Sequence, residues 1–211
     1  MNIDFPSGIV SSFTMENIPF SSLFEKERSI CKSYESQRLS DFLRGRYCAH
    51  RCLASFQISS PVLKDDVGAP IWPEGFSGSI SHTHGLAGAI LSRKNTFLSV
   101  GLDIEKIGRI DTEIWPLLFT ESEISLLHKL NSEKQQEVST LMFSMKEAYY
   151  KMQYQLTKSG MEYDDLEVNP GESKIHFNIR NQKLKRLNQE KLIVNHVIQS
   201  SHIISIVLFK E

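Results

Sequence analysis

Residues 98–105 read Leu98-Ser99-Val100-Gly101-Leu102-Asp103-Ile104-Glu105, and residues 143–151 read Phe143-Ser144-Met145-Lys146-Glu147-Ala148-Tyr149-Tyr150-Lys151. The first stretch alternates. Successive side chains of a strand point to opposite faces, so Asp103 and Glu105 are expected on one side and Leu98, Val100, Leu102 and Ile104 on the other. The second lies inside a run with apolar residues at Val138, Leu141, Met142, Met145, Ala148, Tyr149, Met152 and Leu156, the spacing of an amphipathic helix. Glu147 and Lys151 stand one turn apart on one face of it. If strand and helix pack together, three carboxylates and a lysine converge, a set able to hold a divalent cation against a phosphorylated ligand.

Upstream, Leu39, Phe42, Leu43, Ala49, Cys52, Leu53 and Phe56 predict a helix from Ser36 to about Phe56, with Arg38, Arg44, Arg46, His50 and Arg51 on its other positions. Residues 1–30 are broken by Pro6, Gly8 and Pro19 and offer one short strand near Gly8–Phe13. Prolines and glycines make 59–78 a loop, under which Trp72 is expected to pack. Two strands, 77–82 and 86–92, follow, joined by a turn at Thr83-His84-Gly85. Downstream, Thr120-Glu121-Ser122-Glu123 is a capping box for a helix through Leu130, and Ser132-Glu133-Lys134-Gln135 repeats the signal for the long helix, with Gly160 as its stop. Strands are expected at 166–168, 174–179, 192–199 and 203–209, the last two joined at Ser200-Ser201. "Helix, then antiparallel strands" thus occurs twice, which suggests a duplicated α+β unit.

With 211 residues, 40% hydrophobic and 23% charged, the chain has the make-up of an ordinary globular protein with one large domain or two small ones. A net charge of -1 gives no argument for nucleic acid or an anionic membrane as the main partner. Residues 1–13 lack the pattern of a secretory signal, and no apolar run is long enough to span a bilayer. The three cysteines, Cys31, Cys48 and Cys52, lack zinc-type spacing, so free thiols in a reducing cytoplasm are expected.

Taken singly, these features decide little. Acids at a strand end usually stay wet, Lys-Glu-x-x-x-Lys is common on solvated helices, and a basic helix face or an edge histidine such as His82 needs no ligand. No G-x-S-x-G turn, P-loop or dinucleotide fingerprint is present.

Taken together they resemble a family. Arg38-x-x-Asp41-Phe42-Leu43-x-Gly45-Arg46, Pro70-x-Trp72-Pro73 with Gly78-Ser79-Ile80-Ser81-His82, Gly101-x-Asp103-Ile104-Glu105-Lys106, and Phe143-Ser144-x-Lys146-Glu147-Ala148-x-Tyr150-Lys151 are similar, in this order, to the motifs of the 4'-phosphopantetheinyl transferases. The resemblance is greatest to the two-subdomain enzymes of siderophore and nonribosomal peptide synthesis, the enterobactin-synthetase-associated group.

That resemblance implies two similar α+β subdomains, each with helices on a small antiparallel sheet, divided here as 1–100 and 101–211, with coenzyme A in the cleft between them. It implies transfer of phosphopantetheine from coenzyme A to a serine of an apo carrier protein domain, with release of adenosine 3',5'-bisphosphate. Asp103, Glu105 and Glu147 are the implied Mg²⁺ ligands, and Glu147, Asp103 and Lys151 the implied catalytic set. Glu147 is the expected base, a metal-activated water its competitor. Ser81, His82, Lys146 and Lys151 with Asp103, and Arg38, Arg46 and Arg51, are the implied coenzyme A contacts, since a guanidinium fork suits a phosphate. Both halves in one chain imply a monomer rather than the trimers of the shorter class, and the cysteine usage a cytoplasmic one.

Two departures stand out. Gly68-Ala69 precedes Pro70 where relatives carry a cation, which leaves Lys64 or Arg44 as substitutes, and nothing before Arg38 matches a motif. Gly108–Phe119, with Ile110, Ile114, Trp115 and Leu117, is a candidate carrier-binding patch or simply a packed loop. Two other readings remain at this point: a metal-dependent phosphodiesterase using the same acids, and a carrier-binding protein of this fold without catalysis.

Overall fold

The alternating run forms a strand, Phe97–Lys106 (β6), and the helical run forms Ser132–Thr157 (α5), packed across it. A computed structural model describes residues 5–83, 85–171, 174–182 and 184–210. β6 pairs antiparallel with His202–Lys210 (β10), which pairs in turn with Leu192–Gln199 (β9). The β6–β10 register shifts between Phe209, opposite Ser99, and Lys210, opposite Phe97. This bulge leaves Leu98 unpaired and turns it into the core under α5, not onto the side of Val100, Leu102 and Ile104 where strict alternation puts it. From Ser99 onward the alternation holds. Gly101 sits where β6 and α5 come closest, and a Cβ there would run into the carbonyl oxygen of Ala148.

The preceding part of the chain builds a second sheet of the same size. Val10–Thr14 (β1), Leu86–Arg93 (β5) and Phe76–Thr83 (β4) pair antiparallel in that order, and the helix Ser36–Ala54 (α2) lies on them. His84, in the expected turn, lies outside the described residues, as do Met1–Asp4. The chain is therefore layered helix, sheet, sheet, helix. Cys48, Cys52, Leu53 and Phe76 fill the space under α2, Leu86, Ile90, Leu102, Ile104 and Ile206 the space between the sheets, and Met145, Tyr149, Met152 and Val207 the space under α5. This is a mixed α+β fold with antiparallel sheets, as expected. The cysteines are free and buried, and burial raises the Cys48 and Cys52 thiols to about 11 and about 12.

The sheets are sewn together by serines. Ser77, Ser79 and Ser81 alternate along β4 and so share one face. Their hydroxyl oxygens accept the backbone N–H groups of Val100, Leu102 and Ile104 at 3.1, 3.0 and 3.2 Å. These N–H groups are buried and need acceptors, and a hydroxyl is short enough to supply one between two strands. Trp72 packs over Gly78 on the same strand, as expected of that loop.

Smaller elements depart from the expectation. A one-turn helix, Glu25–Ile30 (α1), lies in the segment left unassigned, and the expected loop contains a short ladder of Leu63–Lys64 (β2) and Pro70–Ile71 (β3). Trp115–Leu118 (α3) precedes the capping box, in which Thr120 and Glu123 satisfy each other's N–H groups and start Glu121–Leu127 (α4). Asn131 rather than Ser132 caps α5, and its stop is Lys158, with φ 53°, rather than Gly160. Leu166–Pro170 (β7) and Ile175–Ile179 (β8) form a separate hairpin.

Candidate active site

Asp103 is the fixed point. Its Oδ1 accepts from Lys151 Nζ at 2.6 Å and from Ser81 Oγ at 3.0 Å, and Lys151 Nζ also reaches Ser81 Oγ at 3.1 Å. The last serine of the ladder thus joins β4, β6 and α5 at one carboxylate. Asp103 is 3% exposed, and its Oδ2 is buried without a hydrogen-bond partner among the described residues. Glu105 lies two residues on, on the same face. Burial raises its pKa to about 7, helped by Asp103 and Glu147 and opposed by Arg109, 3.8 Å away, and by Lys151. Glu147, one turn before Lys151, accepts the Tyr163 hydroxyl at Oε1, 2.7 Å away.

Two cavities of about 240 Å³ each lie alongside. One is lined by Tyr34, Arg38, Arg46, Lys64 and His82, the other by Tyr150, Lys151, Tyr154 and Lys158, and both share Gly68, Pro70 and Ile80. A basic cavity and a lysine–tyrosine cavity therefore adjoin across one wall. Arg38 lies over the Tyr34 ring, 4.4 Å from its centroid, and Lys64 donates to the Tyr34 hydroxyl at 3.0 Å. Burial lowers Arg46 to about 10, partly offset by Glu27 4.0 Å away, so it remains a cation at neutral pH. His82 has Nδ1 3.7 Å from Asp41, and burial lowers its pKa more than that carboxylate raises it.

Three sequence expectations are corrected by this geometry. Lys146 does not reach the cleft: it is wholly buried on the far side of α5, donating to Leu118 O, Tyr163 O and Glu123 Oε2 at 2.9, 2.9 and 2.7 Å. Neighbouring helix positions do not share a face, so Lys146 and Glu147 diverge. Arg51 is exposed beside Tyr47 and lines neither cavity. Arg44 spends its guanidinium on Glu16 O and Asn17 Oδ1, which leaves Lys64 as the cation beside Pro70. Sequence reasoning missed Tyr163, Tyr34 and Glu27, which lie outside the long periodic runs.

Among the described residues no group of three or more Asp, Glu, His or Cys side chains is arranged to hold a metal ion by itself. The all-oxygen donors and the partnerless Asp103 Oδ2 nevertheless suit a hard dication that takes its remaining ligands from water and phosphate.

Comparison with known proteins gives the family of the chain. A model of the 4'-phosphopantetheinyl transferase N-terminal domain matches residues 25–92, and the model of the 4'-phosphopantetheinyl transferase superfamily matches residues 99–207. The chain belongs to the 4'-phosphopantetheinyl transferase superfamily. The first match also extends the likeness to Glu25, ahead of Arg38, where no motif was legible. The 4'-phosphopantetheinyl transferase Svp of Streptomyces mobaraensis is 31% identical over 71% of this chain and 62% of its own length. Enterobactin synthase component D of Salmonella typhi is 34% identical over 57% of this chain and 50% of its own. The chain thus spans between half and two thirds of these relatives. The holo-[acyl-carrier-protein] synthase of Thermotoga maritima superposes with a TM-score of 0.45 at 18% identity, covering 53% of this chain and 62% of that one.

Proposed function

We propose that this chain transfers the 4'-phosphopantetheine arm of coenzyme A to a serine of an apo carrier protein domain, releasing adenosine 3',5'-bisphosphate. The observation that carries the reading is the meeting of Lys151, Ser81 and Asp103 beside two cavities, one of them basic. The likeness to Svp, a 4'-phosphopantetheinyl transferase, supports it. Arg38, Arg46, Lys64 and His82 bind the nucleotide phosphates, and the cavity of Tyr150 and Tyr154 takes the pantetheine arm.

In the reaction the carrier serine Oγ attacks the phosphorus that bears the pantetheine. A P–Oγ bond forms, the bond to the bridging oxygen breaks, and that oxygen leaves with the nucleotide. Lys151 stabilises the charge gathering on the phosphate oxygens. The serine proton passes to a water beside Glu147, whose Oε2 has no hydrogen-bond partner among the described residues. Asp103, Glu105 and Glu147 would hold Mg²⁺, which when bound supplies charge neutralisation on the diphosphate.

The same reading takes 1–100 and 101–211 as subdomains of a monomer that works in the cytoplasm. For the carrier it offers the stretch after β6, where Leu117 is 74% and Ile114 37% exposed while Trp115 is buried. The test is to incubate the protein with coenzyme A, Mg²⁺ and several apo carrier domains and weigh the carriers. A phosphopantetheine adduct on a carrier is expected. Coenzyme A bound with no carrier modified would instead favour a carrier-binding protein without catalysis, and cleavage of coenzyme A without an adduct would favour a phosphodiesterase.

A further inference from the structure

Lys146 and Glu147 are adjacent on α5 and face different ways, yet both end on one residue. Lys146 Nζ donates to the backbone oxygen of Tyr163 at 2.9 Å, and the Tyr163 hydroxyl donates to Glu147 Oε1 at 2.7 Å. The backbone end of Tyr163 is set firmly. Lys146 is anchored by Glu123, which also accepts the backbone N–H groups of Thr120 and Val168 at 2.7 Å each, so four backbone positions are tied to one buried ion pair. Along its side chain, Tyr163 packs its ring against Phe143, 5.8 Å between centroids. The hydroxyl is therefore delivered to Glu147 from a braced position.

We propose that Tyr163 is a positioning residue: its hydroxyl occupies Glu147 Oε1 and fixes that carboxylate so that Oε2 alone is presented to Asp103 and Glu105. The inference rests on the reading of Glu147 as a metal-binding carboxylate and adds to it what holds that carboxylate in place. Without the hydroxyl, Glu147 is free to rotate about its terminal torsions at a half-buried helix position, and the cost of ordering it falls on metal binding. Partners that orient a metal-binding carboxylate contribute roughly 10- to 100-fold in affinity or activity.

The test is to titrate Mn²⁺ into the full chain with coenzyme A present, following free Mn²⁺ by electron paramagnetic resonance, for wild type, Tyr163→Phe, Phe143→Leu, Glu147→Gln and the double variant Tyr163→Phe/Glu147→Gln. Tyr163→Phe keeps the ring and is expected to melt near wild type while binding Mn²⁺ about 10- to 100-fold more weakly. Phe143→Leu loosens the packing without removing the hydroxyl and is expected to melt earlier while losing less Mn²⁺ affinity than Tyr163→Phe. In the Glu147→Gln background, Tyr163→Phe is expected to cost nothing further, since its effect runs through that carboxylate. Unchanged affinity in Tyr163→Phe, an equal loss in Phe143→Leu, or full additivity with Glu147→Gln would overturn the proposal. Wild type that transfers phosphopantetheine beside an indifferent Tyr163→Phe would remove this inference alone. Wild type that neither binds Mn²⁺ nor transfers would remove the underlying reading and this inference with it.

Discussion

α5 carries two lysines five residues apart, each paired with a carboxylate at nearly the same distance, and the pairs do different work. Lys146 stands 2.7 Å from Glu123 and Lys151 2.6 Å from Asp103. The side chains of the first pair are 0% and 1% exposed, and Lys146 directs its three N–H groups at protein oxygens. Both Glu123 oxygens are occupied as well. Lys151 is 26% exposed, borders a cavity and donates to two oxygens, while Asp103 keeps one buried oxygen unsatisfied among the described residues. A saturated pair has nothing left for a ligand. An unsaturated one, at a cleft, has bonding capacity in reserve, and this separates scaffold from site more reliably than distance or charge.

The largest effect expected from breaking this comparison is on stability at Lys146. Replacing it with Met leaves Glu123 charged and buried without its partner and frees carbonyls at Leu118 and Tyr163. Removing one member of such a pair costs about 3–5 kcal/mol, so Lys146→Met is expected to unfold at much lower denaturant, measured by urea titration. Lys146→Met with Glu123→Gln should recover part of the loss, because no uncompensated charge remains. A Lys146→Met variant of normal stability but lost coenzyme A binding would return this lysine to the cleft.

Next comes Lys151→Met, where the loss falls on chemistry. Withdrawing a cation from the developing charge of a transition state costs roughly 100- to 1000-fold in turnover. The unfolding free energy should fall by less than in Lys146→Met, since Asp103 keeps Ser81 and the lost lysine was part-exposed at a cavity. Carrier modification under saturating coenzyme A, beside urea melts of both variants, reads the two losses separately.

The two lysines also mark how far the sequence could be read. Alternation from Ser99 to Glu105 and the apolar spacing of α5 are properties of local chemistry, and they put Asp103, Glu105, Glu147 and Lys151 on the elements that meet. Nothing in Lys146-Glu147 says which side of the helix the core will claim, because that depends on α3, α4 and the segment at Tyr163 folding back over it. The bulge that turns Leu98 inward arises from pairing with β10, far along the chain. Tyr163 and Tyr34 reach the site from outside the periodic segments, so no spacing points to them. The serines of Gly78-Ser79-Ile80-Ser81 were visible as a motif, but their role as acceptors for β6 appears only when the two sheets are adjacent.

That seam supplies a smaller prediction. Ser79 accepts the Leu102 N–H at 3.0 Å, two residues from the Ser81 that also serves Asp103. Ser79→Ala strands a buried donor, at about 1–3 kcal/mol. The expected signature is faster hydrogen exchange at Leu102, with exchange in the middle of α2 little changed. Equal exchange in Ser79→Ala and wild type would mean that the ladder adds nothing to the seam.

The smallest effect concerns a third carboxylate, Glu27, which resembles Glu123 in saturation and Asp103 in what it supports. It is wholly buried, accepts from His50 Nε2 and the backbone N–H groups of Val62 and Phe24, and lies 4.0 Å from Arg46, the guanidinium lining the basic cavity. Burial alone would raise its pKa, but the hydrogen bonds from His50, Val62 and Phe24 and the charge of His50 outweigh it and hold Glu27 below the ordinary 4.5. A carboxyl depressed on folding contributes stability that is fully present above its unfolded pKa and is lost as pH falls through the folded value. Wild type should therefore lose stability below about pH 4.5 more steeply than Glu27→Gln, which has no proton to take up there. Urea melts from pH 6 to pH 3 read the difference in slope. Parallel curves would show that Glu27 is not held as a carboxylate by its neighbours. Arg46 would then owe its place over the cavity to Phe42, whose ring lies 4.5 Å from the guanidinium, and to the Leu63 carbonyl.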